Sequence, residues 1–358
     1  MRILIHFELR KIFSKKLTEI ALIAILLLSV LFGFSTYQNK YAFGGKSDGG
    51  TGKTAVEIDK EIAAKYEGIL TDEKVQQMMN DFAPTHDLHG LNAMYLYQNA
   101  TQSAAFSRFS DKEGNWNGLS VSDVFGNEEI KIGYVDGWLS TSKNMVRVFI
   151  ALALAVIIML APIFSGEYEG VDNIILTSKY GKTKCATAKV AAGILTAILT
   201  TALVAAFNLL LALIFYGTEG LDCSILFAPS DYAEGFIPFN ITCGTLLKYQ
   251  ILLAFTCTLS VTGITLLISA ISKNQIVAFV ASMAIFLFPV LLPITEANPL
   301  FRLIGLLPLH HVQAVSLLSV EQMSNGMLYA VWAIPTALLF LGIGAVISRR
   351  VFAKHQVS

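Results

Sequence analysis

The chain has 358 residues, of which 54% are hydrophobic and only 15% charged, with 26 basic and 26 acidic side chains in balance. Soluble globular chains carry about 25% charged residues, so this deficit, together with a mean hydropathy of +0.60, excludes an ordinary soluble domain and points to lipid. The zero net charge is uninformative, because the charges are segregated along the chain.

A hydrocarbon core of about 30 Å takes about 20 apolar residues in helical form. The first such stretch, 17–37, follows a basic start, residues 1–16. There Ile5, Leu9, Ile12 and Phe13 share one helical face, with Arg2, Arg10, Lys15 and Lys16 elsewhere. That pattern suits an amphipathic helix in the headgroup layer; a plain basic anchor is the alternative. A cleaved signal peptide is a poorer fit, because the apolar core is too long for one and no small-residue cleavage site follows cleanly.

Residues 38–145 form a domain between the first two spans. Gly44 to Gly52 is a flexible leader, and Thr54-Ala-Val-Glu57 has the spacing of a capping box ahead of a helix. Gly68 breaks that helix, Thr71 caps another ending before Pro84, and 88–109 reads as helical too. Ile130, Ile132 and Tyr134 alternate with smaller or polar neighbours, as in a short strand. The run Gly49 to Thr54 imitates a phosphate-binding loop, but Ser47 stands where that loop needs its first Gly, so no nucleotide site is expected.

Residues 146–165 form the second span and 166–188 the loop after it. The loop places Glu167, Glu169 and Asp172 first, then Ile174-Ile175-Leu176, then Lys179, Tyr180, Lys182 and Lys184. Acids in the opening turns suit the dipole of a short helix from about 167 to 177. Its apolar ridge and basic exit fit a groove on a soluble partner, and equally fit a solvated loop. The third span is 189–216, where Thr196, Thr200, Thr201 and Asn208 lie on shared or adjacent faces. They are candidates for lining a path, although such residues also serve helix packing.

The connecting loop 217–245 holds Cys223 and Cys243, a candidate disulfide in an oxidising compartment and otherwise two free thiols. Spans four and five, 246–272 and 275–294, are separated by little more than Lys273 and Asn274, which forces an antiparallel hairpin. Residues 295–326 are apolar but punctuated by proline, and read as re-entrant or interface helices. Adjacent His310 and His311 point about 100° apart on a helix, a poor metal site, so no metal is expected. The sixth span is 327–348, and 349–358 is the tail.

Positive charge sorts these segments. Arg2, Arg10, Lys11, Lys15, Lys16, Lys179, Lys182, Lys184, Lys189, Lys273, Arg349, Arg350 and Lys354 fall on one side, against Lys248 and Arg302 in the short loops of the other. The expectation is an all-α membrane protein with six transmembrane helices, N and C termini cytoplasmic, and a mostly helical extracellular domain between spans one and two.

At the loop after span two, Glu167, Gly170, Leu176-Thr177-Ser178, Gly181-Lys182 and Lys189 resemble the pattern in permease subunits of type-2 ATP-binding-cassette exporters. There a Glu, a Gly, a Leu-Thr/Ser pair and a basic residue precede the third span. The layout agrees over essentially the whole chain; Gly181-Lys182 departs from the family where an Arg is common.

The resemblance implies a bacterial plasma-membrane export permease for a hydrophobic or amphipathic substrate, and the size of the external domain suggests a peptide, lantibiotic or drug. The segment Glu167 to Lys184 would form a coupling helix, with Glu169, Gly170, Asp172, Ile175, Leu176, Lys179, Tyr180 and Lys182 against a separate ATPase subunit. That partner would carry ATP and Mg, leaving this chain without a cofactor and without catalytic residues. A second permease copy or homologue and membrane lipid are the other partners, and nucleic acid is not one.

Two rivals differ in class. A sensor or resistance scaffold would bind an antimicrobial peptide through the same domain. An intramembrane enzyme would need ionisable groups at membrane depth, and the spans hold such residues only at their ends.

Overall fold

The computed structural model describes residues 1–44, 49–84, 88–93, 96–168, 181–229, 239–291, 301–312 and 329–354. Five of its helices are long and apolar enough to cross a membrane, over Lys16–Asn39, Asp136–Ser165, Thr183–Tyr216, Cys243–Ile271 and Val331–Lys354. The chain is a multi-pass, mostly helical membrane protein whose sheet, among the described residues, amounts to two two-stranded ribbons.

Helix α1 (Arg2–Phe13) lies ahead of α2 (Lys16–Asn39). Thr18, Ala21, Ile25 and Ser29 form the buried stripe of α2, at the three- and four-residue spacing of one helical face. Ile20, Ile23, Leu27, Leu31 and Phe34 are exposed on its other side. Apart from Ile25 the inward residues are small and the outward ones large and apolar, the arrangement lipid favours, since lipid tails solvate leucine and only close backbone approach gains packing.

The domain follows. Strands β1 (Tyr41–Ala42) and β2 (Gly50–Thr51) pair antiparallel, Tyr41 opposite Thr51. Helices α3 (Lys53–Tyr66) and α4 (Asp72–Asp81) come next, separated by β3 (Gly68–Ile69). After α5 (Ala100–Phe109) and α6 (Val121–Phe125), β4 (Lys131–Ile132) pairs with β3, Gly68 opposite Ile132. Tyr66, Val75, Met78, Phe106, Phe109, Ile130 and Ile132 form a core separate from that of the membrane helices.

Helix α7 (Asp136–Leu160) is extended by α8 (Pro162–Ser165). It is the central span, buried over 72% of its apolar window, against 22% for the first and last. A π-helical turn, Gly181–Cys185, leads into α9 (Ala186–Tyr216). Then α10 (Cys243–Ile271) turns back into α11 (Gln275–Leu287), whose first turn is capped by Asn274 Oδ1 accepting from Ile276 N–H at 2.7 Å. Two short helices, α12 (Phe301–Ile304) and α13 (Pro308–His311), precede α14 (Tyr329–Lys354). Helices α10 and α14 cross at backbone contact: a Cβ on Gly344 would stand 2.0 Å from Gly263 O, and one on Gly263 2.3 Å from Phe340 O.

Contacts define two ends of the bundle. At one, Phe352 near the end of α14 packs on Phe164 with ring centroids 5.2 Å apart, and the Tyr168 hydroxyl donates to Ala270 O at 2.9 Å. Helix α1 packs there too, so the described parts of both termini share this end. The domain occupies the opposite end, where the Lys40 ammonium lies 3.6 Å from Asp59 and also pairs with Asp136. Trp138 Nε1 donates to Glu219 O at 2.7 Å.

Several boundaries differ from the sequence reading. The expected helix over 88–109 forms only as α5, because Gly90 has φ +82° and Asn99 instead caps Ala100–Phe109, accepting from Gln102 N–H at 2.8 Å. The capping box at Thr54 does not form; α3 begins at Lys53 behind Gly52 (φ +57°) with no side-chain cap. The helix that carries the second span starts at Asp136, ahead of the apolar run, its polar opening turns packed against protein.

The last helix runs on through Lys354, absorbing the basic residues assigned to a tail. The fifth predicted span is described over Gln275–Leu291, an α-helix plus one 3-10 turn, about 27 Å long from helical rises. Thr71 caps α4 as expected, accepting from Lys74 N–H at 3.4 Å.

Candidate functional site

The site builds up from the break between α7 and α8. Pro162 sits at the opening of α8, where it has no N–H to lose. The donors left there are collected by Ser269 of α10: its Oγ accepts from Phe164 N–H (3.0 Å) and Ser165 N–H (3.2 Å) and donates to Ala161 O (2.6 Å). The chain leaving α8 is therefore held against α10, and Tyr168 is held twice, by Ala270 O and by stacking on Phe352.

Between them, Glu167 turns inward. It is 2% exposed, and Lys189 of α9, fully buried, donates to its Oε1 at 2.6 Å. Lys189 also donates to Glu8 Oε2 of α1 at 3.0 Å. The Lys11 ammonium, one turn further along α1, pairs with Glu167 from the rim. Cys185 Sγ lies 4.0 Å from Glu8 Oε1.

Two carboxylates and two ammonium groups thus balance, and buried charges need that balance because desolvation costs several kcal/mol per ion. Beside them, burial first and then the Lys11 and Lys189 charges hold the Lys15 amine below its ordinary value. The cluster ties three separate segments, α1, the exit of α8 and the start of α9, into one block.

Of the residues read from sequence as the coupling segment, Glu167 stands at the centre of this cluster. Glu169, Gly170, Asp172, Ile175, Leu176, Lys179 and Tyr180 lie outside the described residues. Lys182 falls in the π-helical turn that returns the chain to the cluster. Glu8 and Lys189 were missed as its partners. The available signals were an acid within an otherwise basic and apolar helix, and a lysine one turn inside an apolar span.

The four polar residues of span three are all buried inside the chain. Thr201 shares a hydrogen bond with Thr258 of α10 at 2.9 Å, and Asn208 Nδ2 donates to Ser29 of α2 at 3.1 Å. Thr200 donates to Thr196 O at 2.8 Å, while Thr196 Oγ1 itself has no hydrogen-bond partner among the described residues. These contacts join α9 to α2 and α10. Above Asn208, a cavity of about 20 Å³ is lined by Ser29, Thr141, Asn144 and Tyr216, room for about one water molecule.

His310 and His311 are buried against α10 and α14, and His311 Nε2 lies 3.1 Å from Leu306 O. Cys223 and Cys243 are free buried thiols. Among the described residues no group of three or more His, Cys, Asp or Glu side chains is placed to hold a metal ion. No family model, curated protein or solved structure matches the chain.

Proposed function

We propose that this chain is the permease subunit of an ATP-driven exporter of the type-2 ATP-binding-cassette class, half of a translocation unit of six-span subunits. The observation that carries the reading is the buried Glu8–Lys189–Glu167–Lys11 cluster. It fixes both borders of the segment 169–180 to the interfacial helix, at the end of the bundle where the described parts of both termini lie. A segment that receives a push from a soluble motor needs such borders, because force transmits through packed elements and dissipates in solvated loops.

The same end carries Arg2, Arg10, Lys11, Lys15, Lys16, Lys184, Lys189, Lys273, Arg349, Arg350 and Lys354, and by the positive-inside rule it faces the cytoplasm of a bacterial plasma membrane. Ile175 and Leu176 then meet a groove on the ATPase subunit, which binds ATP and Mg and performs the hydrolysis. A second permease completes the path. The substrate class is hydrophobic or amphipathic: a peptide, lantibiotic or drug.

The test is purification of the tagged full chain from its native membrane. An ATP-hydrolysing polypeptide with a phosphate-binding loop should co-purify in stoichiometric amount, and Leu176→Asp should lose at least tenfold of it while the chain still inserts. Recovery of the chain alone, with intact response of the cells to an antimicrobial peptide, would favour the sensor reading, for which the separately packed domain core is the supporting feature.

A further inference from the structure

The segment between α9 and α10 comes back on itself beside the domain. Ser224 and Thr242 oppose each other in an isolated antiparallel bridge. Ile225 N–H donates to Ile241 O and Cys243 N–H to Cys223 O, both at 3.0 Å, one on each side of it. One step outward on both strands puts Cys223 opposite Cys243. Directly opposed residues of an antiparallel pair present their side chains on the same face. At a hydrogen-bonded position their Cα atoms are about 5.5 Å apart, inside the roughly 4.4–6.8 Å that a disulfide spans. Both side chains are buried, at 0% and 1% exposure.

We infer that Cys223 and Cys243 are a disulfide-forming pair, oxidised by thiol–disulfide exchange with a small-molecule disulfide or the disulfide form of a thiol oxidoreductase. One cysteine thiolate attacks a sulfur of the oxidant, for example glutathione disulfide, and expels a glutathione thiolate. The other then attacks the mixed disulfide and expels the second. Two protein thiols lose two electrons and two protons, and one glutathione disulfide gains them as two thiols.

The surroundings say what the bridge fastens. A Cβ on Gly133 would lie 2.7 Å from Cys223 Sγ, so the sulfur sits directly against the exit of β4. Ser224 N–H donates to Lys131 O at 2.8 Å, and Lys131 pairs with Asp222. Closing the bridge locks the β3–β4 ribbon of the domain to the first turn of α10. Burial pushes the Cys223 thiol up to about 11, so little thiolate is present at neutral pH and a formed bridge is also slow to reopen by exchange. The register stands by itself; use of the bridge in the cell rests on the proposed sidedness, which places this end outside.

The purified full chain in detergent, equilibrated with excess glutathione disulfide and then denatured and alkylated, should lose two of its four thiols. Dithiothreitol should restore both. Cleavage after Asp231 or Glu234 should leave two fragments joined until reduced, with Cys185 and Cys257 alkylated throughout. Cys223→Ser should make Cys243 fully alkylatable. Four alkylatable thiols after equilibration would overturn the inference, as would loss only as glutathione adducts or a Cys243 still blocked in Cys223→Ser. A bridge in the purified chain but two thiols in freshly isolated, alkylated membranes supports the pair and counts against the sidedness.

Discussion

The two ends of the bundle solve one problem in different ways. Each buries a lysine between two carboxylates from separate elements: Lys189 between Glu8 and Glu167 at the termini end, Lys40 between Asp59 and Asp136 at the domain end. At the termini end a second lysine, Lys11, reaches in from the rim and the charges balance. At the domain end the described residues bring one lysine to two carboxylates. Burial there outweighs the pull of Lys40 and of the Ala100 N–H, so the Asp59 carboxyl is held above its ordinary value. A balanced cluster is a fixed joint; an unbalanced one can relax by taking up a proton.

The largest effect should therefore come from Lys189→Met. It leaves two buried carboxylates with only the rim lysine, and removing one partner of a buried pair costs about 3–5 kcal/mol. Thermal unfolding in detergent should show the loss, and Glu8→Gln added to it should recover part. A Lys189→Met chain as stable as the wild type would remove the basis for calling the cluster a joint.

Lys40→Met should cost less, and its cost should depend on pH. A carboxyl raised in the fold contributes stability that is full below its unfolded value of 3.8 and is lost as pH rises through the folded value. Acidification from neutral pH through that raised range thus stabilises the domain end. Without Lys40 the carboxyl rises further, so the gap between variant and wild type should be widest at neutral pH and narrow toward pH 4. A gap that stays constant would contradict burial as the dominant influence on Asp59.

Gly263→Ala lies between the two ends and tests whether the comparison is local. Its Cβ would meet Phe340 O and Leu341 Cα, which are backbone atoms of α14 and cannot rotate away. The expected loss is about 1–3 kcal/mol, with no change in the pH dependence of the Lys40 variant. Smallest is Asn99→Ala, which removes the α5 cap for about 1 kcal/mol. Limited proteolysis should detect it within the domain while the membrane helices stay protected.

Most of the spans were legible in the sequence, because an apolar run of about 20 residues is a local property. Their ends were less so. Asn144 is polar yet helical, because Thr36 of α2 accepts a hydrogen bond from its side chain, and Gln250 of α10 donates to the neighbouring Ser142 carbonyl. The 88–109 error has a similar origin: an acceptable helical composition yields to one left-handed glycine and one cap. Of the site, Glu167 was legible as a candidate through a resemblance. Lys189 was named in the same resemblance, but its pairing with Glu8 was not legible, because it joins positions 181 residues apart, and a lysine near a span end passes for an ordinary rim charge. The Cys223–Cys243 pair could be named as a candidate, but its cross-strand register required the fold.

The central claim concerns which end of the molecule meets an ATPase, and site-specific photo-crosslinking compares the ends directly. A photoreactive residue in place of Leu176 should capture an ATP-binding polypeptide in native membranes, and the same residue in place of exposed Leu91 on the domain should capture none. An ATPase adduct at Leu91, or none at Leu176 in a chain that is fully inserted, would contradict the account.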